Sequence, residues 1–354
     1  MQRLSVEYVS GAVHDILVGV GTPGDIARRV TEVLVNANLV GHDSHGIIRI
    51  PSYLEEVDGK KVLVGERPEI VGETAATAVM DGRSGWGAYA VDRAMTLAIE
   101  KARSTGLGAV ALRRCNHAGR LGEYVEMAAR AGCVGMVFLG YGGRDFGDCA
   151  PYGGKSKALL TNPVAIGAPV AGRAPFVLDY ATTVASRGKV KVAQSRGESM
   201  PEGWALDSDG FPTTSPDAFF NGGFLSHFGG YKGYGLSLAT CLLGGLGGAF
   251  NPARSVMGGI YVQAIDVRAF QDADEYGRRA AAFLDAMRGS PAVQPDRPVQ
   301  VPGDPEAKVR GERSARGIEV PAGVWNQIVA AAAAHGIPLR APEPDALGDR
   351  VAAT

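Results

Sequence analysis

Three glycine-rich stretches hold the residues of this chain best suited to chemistry. The first is Gly41-His42-Asp43-Ser44-His45-Gly46, with Arg49 four residues beyond His45. The second is Asn116-His117-Ala118-Gly119, and the third is Gly229-Gly230-Tyr231-Lys232-Gly233-Tyr234-Gly235. Glycine lets the backbone approach a ligand closely, and polar side chains on such loops are where binding and catalysis concentrate. A histidine such as His117 can give or take a proton near neutral pH, although a helix-capping or core histidine has the same local pattern. Arg49 offers a forked donor to a carboxylate, with an ordinary surface arginine as the plainer alternative. Lys232, at an expected helix start, suits a phosphate or a ribose hydroxyl. His42, Asp43 and His45 raise a metal-dependent hydrolase as an alternative from another class, since imidazole and carboxylate suit zinc or iron. Their spacing matches no strong metal motif and no third convergent ligand can be assigned, so no metal is expected.

These stretches need elements to position them. Residues 5–18 and 25–39 show helical apolar spacing, joined by a turn in which Thr22 is expected as N-cap with Pro23 at the first helical position. That turn spells G-x-G-x-x-G at Gly19, Gly21 and Gly24, but the segment before it is helical in period, whereas a dinucleotide fingerprint needs a strand there. From residue 77 the texture alternates. A strand at 77–81 is followed by a helix at 86–103 stopped by Gly106, a strand ending at Arg113, and a helix from 119 to 130. After a further strand through Leu139, extended segments at 162–168 and 175–179 flank a turn and predict a hairpin, hence a mixed sheet. A helix at 183–195, a glycine-rich helix after Lys232, a strand near 259–265, a helix at 274–288, a proline-rich linker and an alanine-rich last helix complete the chain.

The chain has 354 residues, with 36 Lys+Arg against 37 Asp+Glu. A near-neutral balance disfavours nucleic acid or an anionic membrane as partner. With 45% apolar residues the chain is globular, and its length predicts two or three packed units. Four cysteines without a C-x-x-C pair fit a reduced, cytoplasmic protein. The N-terminal segment does not read as a signal peptide. The uncharged run 233–253 is long enough to span a membrane, but its glycines and Pro252 favour a buried, tightly packed helix.

At the polar clusters the match becomes specific. The blocks GHDSHGIIRIPSY, NHAGRLGEY, APYGG, LLTNPVAIGAP, LDYATTVASRGKV, MPEGWALDSDGFPTT, GGYKGYGLSL and VPGDPEAKVRGERSARGIEVP run in order from residue 41 to 321. They resemble the malate/L-lactate dehydrogenase family that lacks a Rossmann fold, which includes sulfolactate and ureidoglycolate dehydrogenases and reductases of diketogulonate and piperideine-2-carboxylate. The resemblance implies an α/β, non-Rossmann, three-domain homodimer with a mostly antiparallel, seven-stranded sheet. Its domains would be a helical one (1–72 with 270–354), a central α/β one (73–125 with 236–269) and a nicotinamide-binding one (126–235).

The resemblance further implies hydride transfer between NAD or NADP, with NAD ahead, and C2 of a small 2-hydroxy or 2-oxo acid. His117 would be the general acid/base, with Ser44 and His45 beside it. Arg49 would clamp the substrate carboxylate, with Asn116 and Thr161 also binding substrate, and Asp179, Tyr180, Ala181, Lys232, Tyr141 and Gly119 would bind the cofactor. Reduction of a cyclic 2-imino acid is the alternative activity, and a catalytically silent homologue a further one. The chain departs from the family pattern at several points. Leu139-Gly140-Tyr141 and a longer loop, GGRDFGDC, replace the usual Thr-Asn-Ser, which puts cofactor contacts there in question. Tyr180 and Thr183 replace the usual Met and Ser, and His227-Phe228 replaces Pro-Leu. His227 and the loop carrying Arg144 and Asp145 are expected to set substrate preference. Arg187, Lys189 and Lys191 could meet a 2′-phosphate or form a solvated face.

Overall fold

The segments expected as strands meet in one mixed sheet of a computed structural model that describes residues 2–340. In chain order the elements begin β1 (Gln2–Leu4), α1 (Val6–Gly19), α2 (Gly24–Leu39), α3 (Ile50–Asp58), β2 (Glu69–Glu73), β3 (Thr77–Asp81), α4 (Gly87–Thr105), β4 (Leu107–Arg113), α5 (Gly122–Arg130) and β5 (Cys133–Gly142). They continue β6 (Val164–Ala168), β7 (Phe176–Tyr180), α6 (Arg187–Arg196), β8 (Ala205–Leu206), β9 (Pro212–Thr213), α7 (Pro216–Phe220), β10 (Phe224–Leu225) and α8 (Tyr231–Gly244). Last come β11 (Phe250–Asn251), β12 (Val256–Asp266), α9 (Ala273–Arg288), α10 (Asp304–Arg316), β13 (Ile318–Val320) and α11 (Ala322–Ala334).

The sheet order is β2-β3-β4-β12-β5-β6-β7, with β11 paired to β12. Only β3–β4 on that path is parallel, because α4 carries the chain back between them. The hairpin is present as β6 against β7. Two glycines of β5 show how the sheet is covered. Gly135 and Gly140 are an odd number of residues apart, so they face opposite sides of the pleat. A Cβ on Gly135 would lie 2.6 Å from the Ala128 side chain of α5, and one on Gly140 would lie 2.3 Å from the backbone of Thr240 in α8. Helices thus flank both faces, and glycine sets their distance.

Three apolar cores result. One joins α1, α2, α3, β13 and α11 around Ile16, Leu34, Tyr53 and Trp325. The second lies between the sheet and α4 and α5, and the third gathers Cys149, Leu159, Met200, Phe219 and Leu225 beneath the long loop 143–160.

Several expectations need correction. Thr22 does not cap α2: its hydroxyl accepts from the Trp86 indole N–H at 3.0 Å, and Pro23 occupies the cap position. The helix–turn–helix expected there is present, with Gly19 ending α1 and Gly24 beginning α2. The helix expected from 119 begins at Gly122, since Gly119 takes φ +72° and breaks the run. The one expected from 183 begins at Arg187, because Ser186 takes the cap and accepts from the Lys189 N–H. The proline-rich linker contains a helix, α10, whose polar sequence has no apolar face and which buries no residue. Finally, α8 is buried on one side only. Gly233, Ser237, Thr240, Cys241 and Gly244 face the sheet, while Leu242 is 62% exposed. Among the described residues no helix is long and apolar enough to cross a membrane.

Because Gly140 meets the α8 backbone rather than a flexible side chain, Gly140→Ala must push helix from sheet. Overpacking of this kind costs about 1–3 kcal/mol. A urea midpoint lowered accordingly at an unchanged m-value is expected, and an unchanged midpoint would show that the contact is slack.

Candidate active site

The loop after α2 is braced by one buried amide. Asn38 Oδ1 accepts the Ile47 N–H at 2.8 Å, and its Nδ2 donates to Asp43 at 2.6 Å. A Cβ on Gly46 would lie 2.1 Å from Asn38 Oδ1, so this glycine is required for the brace. Asp43 also accepts a fork from Arg313 of α10 at 2.6 and 3.0 Å, and His42 Nε2 lies 3.0 Å from Glu306 of the same helix. His42 and Asp43 therefore hold α10 and do not converge with His45. Among the described residues no group of three or more His, Cys, Asp or Glu is placed to bind a metal ion. Ser44 Oγ lies 2.9 Å from His45 Nδ1.

His117 follows β4 on a loop tied down by Asn116, whose Nδ2 donates to the carbonyls of Lys61, Ser84 and Gly85 at 3.1, 2.8 and 2.9 Å. The start of α4 presses on the same loop, since a Cβ on Gly87 would lie 2.1 Å from the Asn116 carbonyl oxygen. The His117 ring stacks on His45, with centroids 5.6 Å apart and planes at 28°. The Tyr53 hydroxyl lies 2.8 Å from His117 Nδ1, and the Gly119 N–H points to the same nitrogen at 3.4 Å. Arg49 sits over the Tyr53 ring at 5.8 Å, and its Nε is buried without a partner. Burial pushes His117 down to about 3, assisted by the Arg49 and His45 charges. Burial also lowers His45, with Asp179 pulling the other way, and raises Tyr53 against the opposing charge of Arg49.

Asp179, next to last in β7, lies close by. It accepts the Gly122 N–H at 2.6 Å and lies 3.9 Å from Arg120 Nε. Arg120 is 3% exposed, and its Nε and Nη1 have no hydrogen-bond partner. It lines a cavity of about 390 Å³ together with Glu126, Val177, Gly303, Glu306 and Arg310. Unpaired guanidinium donors beside carboxylate acceptors in a partly enclosed space suit a polar, uncharged group such as an amide.

The remaining expected site residues lie further out. Tyr180 packs edge-on against Phe228 at 5.5 Å, and Ala181 follows it half-buried. Thr161 contributes its carbonyl, which accepts both the N–H and the hydroxyl of Thr182 at 2.9 Å. Tyr141 accepts nothing from the histidine pair: its N–H donates to Asn162, and it lines another cleft with Asp81 and Arg113. Lys232 is exposed on the first turn of α8. His227 is tied to the long loop, its Nε2 lying 3.0 Å from the Ala150 carbonyl.

Tyr53 and Arg120 were not among the expected site residues. For Tyr53 a signal existed, since the four-residue step from His45 to Arg49 reaches Tyr53 when repeated. Arg120 announces itself only through burial.

Known proteins resemble the chain over most of its length. The family model described as malate/L-lactate dehydrogenase matches residues 4–329. A malate dehydrogenase of Pyrococcus abyssi is 36% identical over 304 residues, covering 81% of this chain and 82% of its own. The structure of sulfolactate dehydrogenase from Methanocaldococcus jannaschii superposes with a TM-score of 0.86 at 34% identity, covering 96% and 98% of the two chains. That of delta1-piperideine-2-carboxylate reductase from Pseudomonas syringae gives 0.82 at 30% identity, covering 94% and 100%. The chain is a dehydrogenase, an α/β protein whose mixed sheet is flanked by helices. It belongs to the malate/L-lactate dehydrogenase family, whose members act on hydroxy acids with nicotinamide cofactors.

Holding His117 neutral has a measurable cost in acid. Its value is near 6.5 when unfolded and about 3 when folded, so the unfolded chain binds the extra proton first as pH falls. Stability from this group is complete above pH 6.5 and is lost progressively between 6.5 and 3, at up to about 1.4 kcal/mol per pH unit. His117→Gln should flatten the acid side of a urea-unfolding series from pH 7 to 4.5. An unchanged slope would mean that the imidazole is not held neutral.

Proposed function

We propose that the chain transfers hydride between a nicotinamide cofactor and C2 of a small 2-hydroxy or 2-oxo acid. The observation that carries this reading is the stacked, half-buried His45–His117 pair beside an arginine with an unpartnered Nε. Arg49 binds the substrate carboxylate as a forked donor. His117 exchanges the proton with the reacting oxygen, since an alkoxide forming in a dry site needs a proton source within reach. Ser44 positions His45, and Asn116 holds the His117 loop through backbone carbonyls. The cofactor supplies the hydride chemistry when bound. Asp179, Arg120, Tyr180, Ala181 and Lys232 would hold it, with Gly119 and Tyr141 at the margins.

NAD is the better fit of the two cofactors. Arg187 is committed to Asp148 at 2.7 Å and lies over the Phe220 ring at 5.2 Å, and Lys189 lies over Trp204 at 5.9 Å. These cations are occupied rather than gathered for a 2′-phosphate. The outer face of α8 and the turn after it carry Leu238, Leu242, Leu246 and Phe250, between 39% and 62% exposed, which supports a homodimer. The four free cysteines support a reducing, cytoplasmic setting. A second reading, reduction of a cyclic 2-imino acid, is supported by the likeness to piperideine-2-carboxylate reductase.

NADH and NADPH should be offered separately with pyruvate, oxaloacetate and piperideine-2-carboxylate while absorbance loss is followed. NADH oxidation with a 2-oxo acid supports the main reading, and turnover of the imine alone supports the second. His117→Ala should lower the active pairing by about 10²–10⁴-fold while the protein still folds and binds NADH. Near-wild-type turnover would remove His117 from the chemistry.

A further inference from the structure

The hydrogen bonds around His117 bear on which of its nitrogens carries the proton. Two groups converge on Nδ1: the Tyr53 hydroxyl at 2.8 Å and the Gly119 N–H at 3.4 Å. A backbone N–H can only donate, so Nδ1 serves as an acceptor and the neutral ring carries its proton on Nε2. Tyr53 is 2% exposed, and its ring is wedged between Trp86, with centroids 5.6 Å apart, and the Arg49 guanidinium at 5.8 Å. The charged and titratable neighbours of His117 are therefore His45 on its face, Arg49 beyond Tyr53, and Tyr53 itself on α3.

This tautomer creates a difficulty for proton transfer. A neutral imidazole that gives up its Nε2 proton becomes an imidazolate unless Nδ1 gains a proton at the same time. We propose that Tyr53 is a positioning residue that holds His117 as the Nε2–H tautomer and passes its hydroxyl proton to Nδ1 as Nε2 protonates the substrate oxygen. The inference rests on the acid/base role given to His117 under the proposed function. In the reduction direction, the Nε2–H bond breaks and an O–H bond forms on the substrate alkoxide. The Tyr53 O–H bond breaks and an Nδ1–H bond forms. His117 remains neutral in its other tautomer, and the negative charge brought by the hydride finishes as phenolate on Tyr53, facing the Arg49 guanidinium. Oxidation runs the same transfers backwards. Arg49 then serves twice, once for the substrate carboxylate and once for the phenolate, which accounts for its buried Nε having no partner.

The test uses the full chain labelled with ¹⁵N-histidine, with the His117 signals assigned by their absence in His117→Gln. At pH 7 the ring should show a protonated Nε2 and a bare Nδ1. Tyr53→Phe, which keeps the ring packed on Trp86, should give a mixture of tautomers. It should also lower kcat roughly 10²-fold with KM within a few-fold, whereas a purely structural role would move both or neither. A wild-type ring protonated on Nδ1, or a Tyr53→Phe protein with unchanged tautomer and kcat, overturns the proposal. Should Tyr53→Phe fail to fold, the wild-type spectrum alone decides. That spectrum needs neither substrate nor cofactor, so a failed substrate panel would count against the proposed function and not against the tautomer.

Discussion

Two imidazole rings stacked 5.6 Å apart in a half-buried cleft disfavour each other's charged form, and much of the surrounding structure serves to keep them neutral and in place. Removing water from a histidine disfavours its charged form, and a neighbouring guanidinium adds to the effect. A loop that drifted outward would rehydrate the rings and lose the effect. The scaffold therefore fixes both loops with backbone-directed amides. Asn38 braces the loop carrying His45, and Asn116 binds three carbonyls below His117. These side chains act at one remove, and their value lies in satisfying buried backbone groups that would otherwise be costly.

The same economy explains α10. A helix that buries no residue has no hydrophobic reason to stay where it is, so ion pairs must locate it. Arg313 grips Asp43, His42 meets Glu306, and Arg310 reaches Glu126. Exposed ion pairs contribute little one at a time, but several acting on one short helix fix its position. Because two of the anchors belong to the loop that carries His45, the wall of the Arg120 cavity and the histidine cleft share a support.

Much of the fold was legible because it depends on local signals. The αL glycine at 106 ends α4 where expected, and the period change at residue 77 marks the sheet. The clusters around His45 and His117 were visible as polar residues among glycines, and the stacking of the two rings places them together. What stayed hidden depends on contacts distant in sequence. Thr22 has the composition of a helix cap, but an indole N–H 64 residues away takes its oxygen. The helix α10 lacks an apolar period, so nothing local separates it from a linker. Tyr53 continues the four-residue spacing of His45 and Arg49, but only the approach of His117 from 64 residues away gives its hydroxyl a role.

The departures from the family pattern are linked through packing. Tyr180, where the resemblance implies a methionine, is met edge-on by Phe228, where it implies a leucine, at 5.5 Å. His227, the residue before it, reaches Ala150 of the long loop, and Tyr152 of that loop lies 6.4 Å from Tyr231, next to Lys232. A larger ring on β7 thus comes with a partner that fills the space beside it, and with a histidine that ties down the loop above. His227 reaches a backbone carbonyl with one nitrogen, and its buried Nδ1 has no partner. Its part is to hold the loop rather than to face the histidine pair, so any influence on the substrate must pass through where residues 143–160 are held.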